Sequence, residues 1–360
     1  MNWKEKTCVL FDLDGTLTDP ADGITRSVQH ALVAFGLTAP REELLDFIGP
    51  PLADSFIRRF GFTEVQAAEA IRLYREYFSV QGIYENQVYP GIPELLKKLR
   101  DSGKRLFLAT SKPEIFARKI LVHFGLEDAF EFAGGSTLDS SRVRKGDVIR
   151  YVLEEAGIDA ADAVMVGDRE HDVLGAAEVG IPCVGVLYGY GSRQELQEAG
   201  TAAVVVNPLQ LERLLTEGLF FRWLHCPESL QDAFAIREAV FVREQGFVNE
   251  FDQRDNTCDH VVLYQNDKPI GCARLFPEAD TAGQWHVGRI AVMPEYRGEG
   301  LGAYLLQETE RRAREAGGLQ MALSAQVQAQ KFYEKQGYKV ISEPYLDEHC
   351  PHVDMIKSLI

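Results

Sequence analysis

Positive charge is in short supply in this chain. Over 360 residues, 38 Lys and Arg stand against 54 Asp and Glu, a formal net charge of −16. A general nucleic-acid binder needs clustered cations to neutralise phosphates, so that class is excluded, as is adhesion to an anionic membrane surface. A local basic pocket remains compatible with the balance. Long apolar runs are also missing: none approaches the about 18 residues of a membrane-spanning helix. The opening Met1-Asn2-Trp3-Lys4-Glu5-Lys6 lacks the layout of a signal peptide, and the expected location is cytoplasmic. The six cysteines (Cys8, Cys183, Cys226, Cys258, Cys272, Cys350) form no C-x-x-C pair. In a reducing compartment they read as free thiols, with no spacing for a zinc site. Internal repeats and low-complexity linkers are absent too. Hydrophobic residues at 46% and charged residues at 26% are ordinary for globular protein, and the length suggests two or three domains.

The first part alternates strand-like and helix-like segments. Apolar runs at Thr7–Phe11, Lys104–Ala109, Ala163–Val166 and Pro182–Val186 each end in a turn signal. Between them lie helical patterns at Ile115–Phe124, Lys145–Ala156 and Asp172–Val179. That alternation predicts a parallel sheet wrapped by helices. One interval, about Pro20 to Tyr89, has helical spacing only: Leu44, Phe47, Ile48; Phe56, Ile57, Phe60; Ile71, Tyr74, Tyr77, Phe78. It reads as a helical insertion. A boundary falls at Thr216-Glu217-Gly218, giving domains 1–217 (insertion about 18–88) and 218–360. The second part opens with a strand, Leu219–Leu224, and a helix from about Ser229 to Arg243. Strands follow at His260–Tyr264, Ile270–Phe276 and Trp285–Val292, then a glycine-rich turn and a long helix to about Ala316.

Asp12-Leu13-Asp14-Gly15-Thr16 follows the first strand directly, and Gly167-Asp168-Arg169-Glu170-His171-Asp172 follows a later one. In an open α/β sheet, ligands gather at the carboxyl ends of strands. Carboxylates brought together there are hard oxygen ligands suited to Mg²⁺. Thr110 and Ser111 end another strand, where a hydroxyl can hold a phosphate oxygen, and Lys145 opens a helix with a cation to offset the gathered charge. Each piece alone has an ordinary structural reading: a turn, a helix cap, a solvated lysine. Their ordered combination is specific.

That combination, over roughly residues 5–215, resembles the haloacid dehalogenase-like phosphatases, whose small helical cap matches the insertion. Ile48-Gly49-Pro50-Pro51-Leu52, Ala109-Thr110-Ser111-Lys112-Pro113 and Gly185-Val186-Leu187-Tyr188-Gly189-Tyr190-Gly191 resemble the phosphoglycolate phosphatase and 5′-nucleotidase branch. The resemblance implies that Asp12 attacks phosphorus, Asp14 serves as general acid and base, and Thr110 and Lys145 position the phosphoryl group. It also implies Mg²⁺ held by Asp12, the Asp14 carbonyl and Asp168, with Asp172 assisting.

In the second part, Arg297-Gly298-Glu299-Gly300-Leu301-Gly302 lies between a strand and a long helix. Its N–H groups and the helix start can cradle an anion, but it is neither a Walker loop nor a dinucleotide fingerprint. With Ile290-Ala291-Val292 before it, Arg237-Glu238-Ala239-Val240-Phe241-Val242-Arg243-Glu244-Gln245-Gly246, and Phe332-Tyr333 downstream, residues 218–360 resemble GNAT acyltransferases. The resemblance implies that the loop (Arg297, Gly298, Gly300, Gly302) cradles the pyrophosphate of acetyl-CoA or another acyl-CoA. Ala291 and Val292 would meet the pantetheine arm, and Tyr333 would protonate the departing thiolate. The general base stays open among His286, His352, Glu244 and Glu343; Arg289 is a charge in an apolar strand with no evident partner. Ser324-Ala325-Gln326 stands where the family often has Asn.

The expected fold is thus a Rossmann-like parallel sheet with a helical cap, followed by a mixed α/β acyl-CoA-binding domain. The expected function is Mg²⁺-dependent hydrolysis of a small phosphomonoester, a nucleoside 5′-monophosphate ahead of phosphoglycolate, together with N-acetylation of a small amine. The alternative is an active phosphatase whose second domain only senses acyl-CoA or serves as an oligomerisation scaffold. The partners are small molecules, with no nucleic acid and no membrane; oligomeric state stays open.

Overall fold

The computed structural model describes residues 1–139, 141–225 and 230–360. Cys226 and the expected helix start at Ser229 lie outside the described residues. The chain divides into two compact units, Asn2–Gly218 and Leu219–Ile360. Among the described residues no helix is long and apolar enough to cross a membrane. The described cysteines are free thiols, all but Cys350 buried.

The first unit carries β1 (Cys8–Phe11), the short β2 (Thr18–Asp19) and β3 (Gln87–Val88), then β4 (Arg105–Pro113), β5 (Phe132–Ser136), β6 (Ala163–Gly167), β7 (Cys183–Val186) and β8 (Ala203–Val205). Six of them form one sheet in the order β5-β4-β1-β6-β7-β8, and every pair in it is parallel. Every residue of β1, β6 and β7 is buried, because a parallel sheet is covered on both faces. The covering helices are α4 (Ile92–Asp101), α5 (Glu114–His123), α6 (Lys145–Ala156), α7 (Glu170–Glu178), α8 (Arg193–Glu198) and α9 (Pro208–Glu217), after the insertion's α1 (Ala21–Val33), α2 (Leu52–Phe60) and α3 (Glu64–Tyr77). Helix α6 shows the logic. Val148, Ile149, Val152 and Leu153 recur at helical spacing and join the core with Leu10, Phe107 and Met165. Gly157 ends the helix at φ 60, where its N–H caps the last turn. Each fully buried aliphatic side chain of that face contributes about 1.5–3 kcal/mol.

The insertion is helical, as the spacing predicts, with two local differences: α3 ends at Tyr77, so that Phe78 opens a π-helical turn, Phe78–Gly82, and the segment before α2 is not α-helical. Residues 41–47 form a 3₁₀ helix that buries Leu44 and Phe47 and stops before Ile48, since Pro50 and Pro51 prevent a longer run. Helix α3 starts at a capping box in which Thr63 Oγ1 accepts from Gln66 N at 3.3 Å and Gln66 Oε1 accepts from Thr63 N at 2.9 Å. Strands β2 and β3 pair Thr18 with Val88 and Asp19 with Gln87, so the chain leaves and re-enters the sheet side by side.

The second unit contains β9 (Leu219–His225), α10 (Gln231–Arg237), β10 (Asp259–Gln265), β11 (Lys268–Pro277), β12 (Gln284–Val292), α11 (Leu301–Glu315), β13 (Gln320–Gln326), α12 (Gln330–Lys335), β14 (Lys339–Val340), β15 (Tyr345–Asp347) and β16 (Cys350–Ser358). The mixed sheet runs β14-β16-β13-β12-β11-β10-β9, with β15 paired to β16. Helix α11 packs Leu301, Tyr304, Leu305 and Ala313 onto Val261, Leu275, Met321, Val353 and Met355. The expected single helix to Arg243 instead ends at Arg237 and widens into a π-helical turn, Glu238–Glu244. Strands β12 and β13 are parallel and pair only from Gln284–His286 to Gln320–Ala322; beyond that they diverge.

Candidate active sites

In the first unit the carboxyl ends of β1 and β6 stand side by side, since Phe11 pairs with Val166 and Asp12 N donates to Val166 O at 2.9 Å. Ligand oxygens of Asp12, Asp168 and Asp172 lie within 4.8 Å of one another, and all three residues are buried. Lys145 Nζ reaches Asp12 Oδ1 at 2.7 Å, Asp172 Oδ1 at 2.7 Å and Ala109 O at 2.9 Å. Burial opposes its charge, but the two carboxylates outweigh burial and hold the ammonium above the ordinary lysine value. Burial, then the neighbouring Asp172 and Asp12, push the Asp168 carboxyl well above the usual carboxylate range. Burial raises Asp172 as well, against the pull of Lys145. The turn after β1 must be tight: Gly15 sits at φ 85, and a Cβ there would overlap the Asp168 carboxylate. Asp168 also accepts from Tyr190 N at 2.8 Å and Thr16 Oγ1 at 3.4 Å.

Asp14 points elsewhere. Its Oδ2 is ion-paired with Lys112, its buried Oδ1 has no hydrogen-bond partner among the described residues, and burial raises its pKa. Thr110 is buried in β4, which runs on to Pro113, two residues past the expected end at Thr110 and Ser111; its Oγ1 accepts from Lys112 N at 3.2 Å. Asp12, Asp14, Thr110, Lys145 and Asp172 border one cavity of about 120 Å³, which Phe47, Tyr74, Arg75 and Phe78 of the insertion close on the other side. Asp168 is fully buried and does not line it. Lys112, Arg75 and Arg169 are members that sequence reasoning did not single out. Arg169 Nη1 donates to Ile48 O at 2.7 Å and Nε meets Glu195 at 2.8 Å, holding the insertion to the β6 end. The three clustered buried carboxylates of Asp12, Asp168 and Asp172 are hard oxygen donors and fit a small divalent cation.

In the second unit the divergence of β12 and β13 opens a cavity of about 500 Å³. Ala291, Val292, Arg297, Tyr333 and His352 all line it. Gly298 and Gly300 take φ 88 and 77 in the turn before α11, whereas Gly302 is already helical, facing Phe332. Arg297 is engaged: both terminal nitrogens reach Glu244 at 2.7 Å and Nε donates to Val292 O at 3.0 Å. That hydrogen-bonded pair holds the Glu244 carboxyl below its usual value. Burial pushes the Tyr333 phenol up to about 12. Gln326 Nε2 donates to Gln245 Oε1 at 2.7 Å at the cavity wall.

Arg289 acquires its partner here. It sits at φ 54 in a bulge of β12, opposite Ala273, and its Nε meets Glu250 Oε2 at 2.9 Å. Glu250 in turn meets Arg237 Nε at 2.6 Å, and Arg237 Nη1 meets Asp255 at 2.7 Å. A second group of ligand atoms, from Asp255, Cys258 and His260, borders this network. Asp255 is already neutralised by Arg237 and Arg274, so a cation there would meet like charge.

Two family models match the chain: haloacid dehalogenase-like hydrolase over residues 9–186 and acetyltransferase (GNAT) domain over residues 230–359. A 5′-nucleotidase of Pseudomonas aeruginosa is 51% identical over 190 residues, 52% of this chain and 86% of that protein. Tyrosine-protein kinase PtkA of Mycobacterium tuberculosis is 45% identical over 197 residues, 54% of this chain and 67% of that protein. The N-acetyltransferase YjcF of Bacillus subtilis, itself uncharacterized, is 39% identical over 133 residues, 36% of this chain and 93% of that protein. The chain belongs to the haloacid dehalogenase-like hydrolases through its first unit and to the GNAT acetyltransferases through its second.

Proposed function

We propose that the first unit hydrolyses a small phosphomonoester and that the second transfers an acyl group from acetyl-CoA, or a related acyl-CoA, to a small amine. The observation that carries the first half is the clustering of Asp12, Asp168 and Asp172 around Lys145 beside a cap-covered cavity. Asp12, Asp168 and Asp172, with the Asp14 carbonyl, would hold Mg²⁺, which offsets the phosphoryl charge when bound. An Asp12 oxygen attacks phosphorus and the bond to the leaving oxygen breaks. Asp14 gives that oxygen its proton, then takes one from the water that attacks the aspartyl-phosphate, and inorganic phosphate leaves. Lys145 and Thr110 hold the phosphoryl oxygens through both steps. The aromatic wall of Phe47, Tyr74 and Phe78 suits a flat leaving group, which favours nucleoside 5′-monophosphates over phosphoglycolate.

The test is phosphate release from nucleoside 5′-monophosphates, sugar phosphates and phosphoglycolate with and without Mg²⁺. Release that needs Mg²⁺ and vanishes in Asp12→Asn supports the reading; full turnover by Asp12→Asn refutes the nucleophile. For the second unit, acetyl-CoA binding by calorimetry separates an acyl-CoA site from a scaffold. Loss of turnover in Tyr333→Phe with binding retained separates an enzyme from a sensor.

A further inference from the structure

The four candidate bases of the second unit have very different surroundings. Glu244 is held by Arg297 through two 2.7 Å contacts. His286 Nδ1 is paired with Glu278 at 3.0 Å and its ring stacks on Phe276 at 5.0 Å, away from the cavity lining. Glu343 is exposed and does not line the cavity either. Glu250, which does line it, is spent between Arg237 and Arg289. His352 is the remaining candidate, and it faces the same cavity as Tyr333.

Its geometry is specific. Val353 and Met355 of β16 turn into the core under α11, so strand alternation sends His352 and Asp354 to the opposite face. The ring is fixed by Phe247 and Tyr345, each with its centroid at 6.3 Å. His352 Nδ1 lies 2.9 Å from Cys350 O. A carbonyl only accepts, so Nδ1 carries the hydrogen in the neutral ring and Nε2 keeps a lone pair. No hydrogen bond to a described residue engages Nε2.

We infer that His352 is the general base of acyl transfer, its Nε2 taking the proton of the incoming ammonium; this rests on the acyltransferase reading above. The freed amine attacks the thioester carbonyl carbon, and the carbon–sulfur bond breaks as the amide forms. Tyr333 gives its proton to the departing thiolate and regains one from the amide nitrogen; the proton on His352 goes to solvent. The charged and titratable groups around the ring are Tyr345 on β15, Asp354 on its own strand, and Glu250, Arg289 and Tyr333 across the cavity. Asp347 and Glu348 also border the cavity, with Glu348 accepting from the N–H groups of Val248 and Asn249.

The test uses the full chain, acetyl-CoA, and 1,4-diaminobutane, glucosamine and glycinamide as acceptor probes. Calorimetry first measures acetyl-CoA binding to wild type and to His352→Ala. Binding by both, with thiol release lowered about 10²–10⁴-fold in the variant and restored by added imidazole, supports the inference. So does loss of the acidic limb of the pH–rate profile in His352→Gln. Equal thiol release with an unchanged pH profile overturns the base and leaves the acyltransferase reading standing. No acetyl-CoA binding by wild type overturns both. A long-range ¹H–¹⁵N correlation spectrum reads the tautomer without any acceptor: hydrogen on Nδ1 of His352 supports the inference, and hydrogen on Nε2 overturns it.

Discussion

Arg237→Met should unfold the second unit well before it unfolds the first. Arg237 is 1% exposed and is among the largest fully buried side chains of the described residues. It contacts Glu250 Oε1 at 2.6 Å, Glu250 O at 2.8 Å and both Asp255 oxygens at 2.7 and 3.1 Å. Methionine keeps the volume but leaves those acceptors without their donor. Breaking a buried pair by removing one partner costs about 3–5 kcal/mol. Acidity gives a second route to the magnitude. Burial alone would raise the Asp255 carboxyl, but the hydrogen bonds from Arg237 and Arg274 bring it down to about 2. Relative to an ordinary aspartate near 4, that is about 2.5 kcal/mol shared between the two guanidiniums. Since the folded value is the lower one, this stability is present above pH 4 and lost as pH falls towards 2. The two routes bracket a loss of about 2.5–5 kcal/mol, or roughly 10 °C for a unit of this size. Calorimetry on the full chain at pH 7 checks it: one transition should drop by that amount while the transition of residues 2–218 stays. A drop under about 3 °C would refute the claim that Arg237 neutralises these carboxylates, because Arg274 and Arg289 would then suffice alone.

Two further substitutions probe the first unit. Lys145→Met should lower phosphate release by about 10²–10³-fold and destabilise the unit most in chelator, with Mg²⁺ restoring part of the loss in a thermal-shift assay; equal loss with and without Mg²⁺ would contradict the shared carboxylate cluster. Gly15→Ala should cost about 1–3 kcal/mol through its left-handed backbone and overlap with Asp168, read as a urea midpoint shift, and a neutral result would mean the turn relaxes freely.

Much of this was legible because the informative residues are local. Strands β1, β6 and β7 are uninterrupted apolar runs, and the carboxylates sit in short motifs at strand ends. Strand β5 was not legible: Gly134 and Gly135 look like loop residues, yet they are small because a Cβ would strike the Val152 side chain or the Lys112 carbonyl. Strand β8 is only three residues long at the sheet edge, too short to show a period. Lys112 was hidden for a different reason. Its partner Asp14 is 98 positions away, and a pair formed across the fold leaves no trace in spacing. The same holds for the Arg237 network and for the sorting of candidate bases, which depends on what each side chain already holds.

The paired β2 and β3 have a consequence for how this enzyme varies. Residues 20–86 leave and return through two adjacent strands, so the sheet experiences that long segment as it would a hairpin loop. Loop-closure entropy grows only slowly with length, and the ends here are already stapled by their own ladder. The segment is therefore thermodynamically close to a plug-in part. It can be lengthened, repacked or exchanged at little cost to the sheet, while Asp12 and Asp168 stay anchored immediately after strands that belong to the sheet. On the function proposed above, leaving-group preference and phosphoryl chemistry would be written in separate stretches of chain, free to change at different rates.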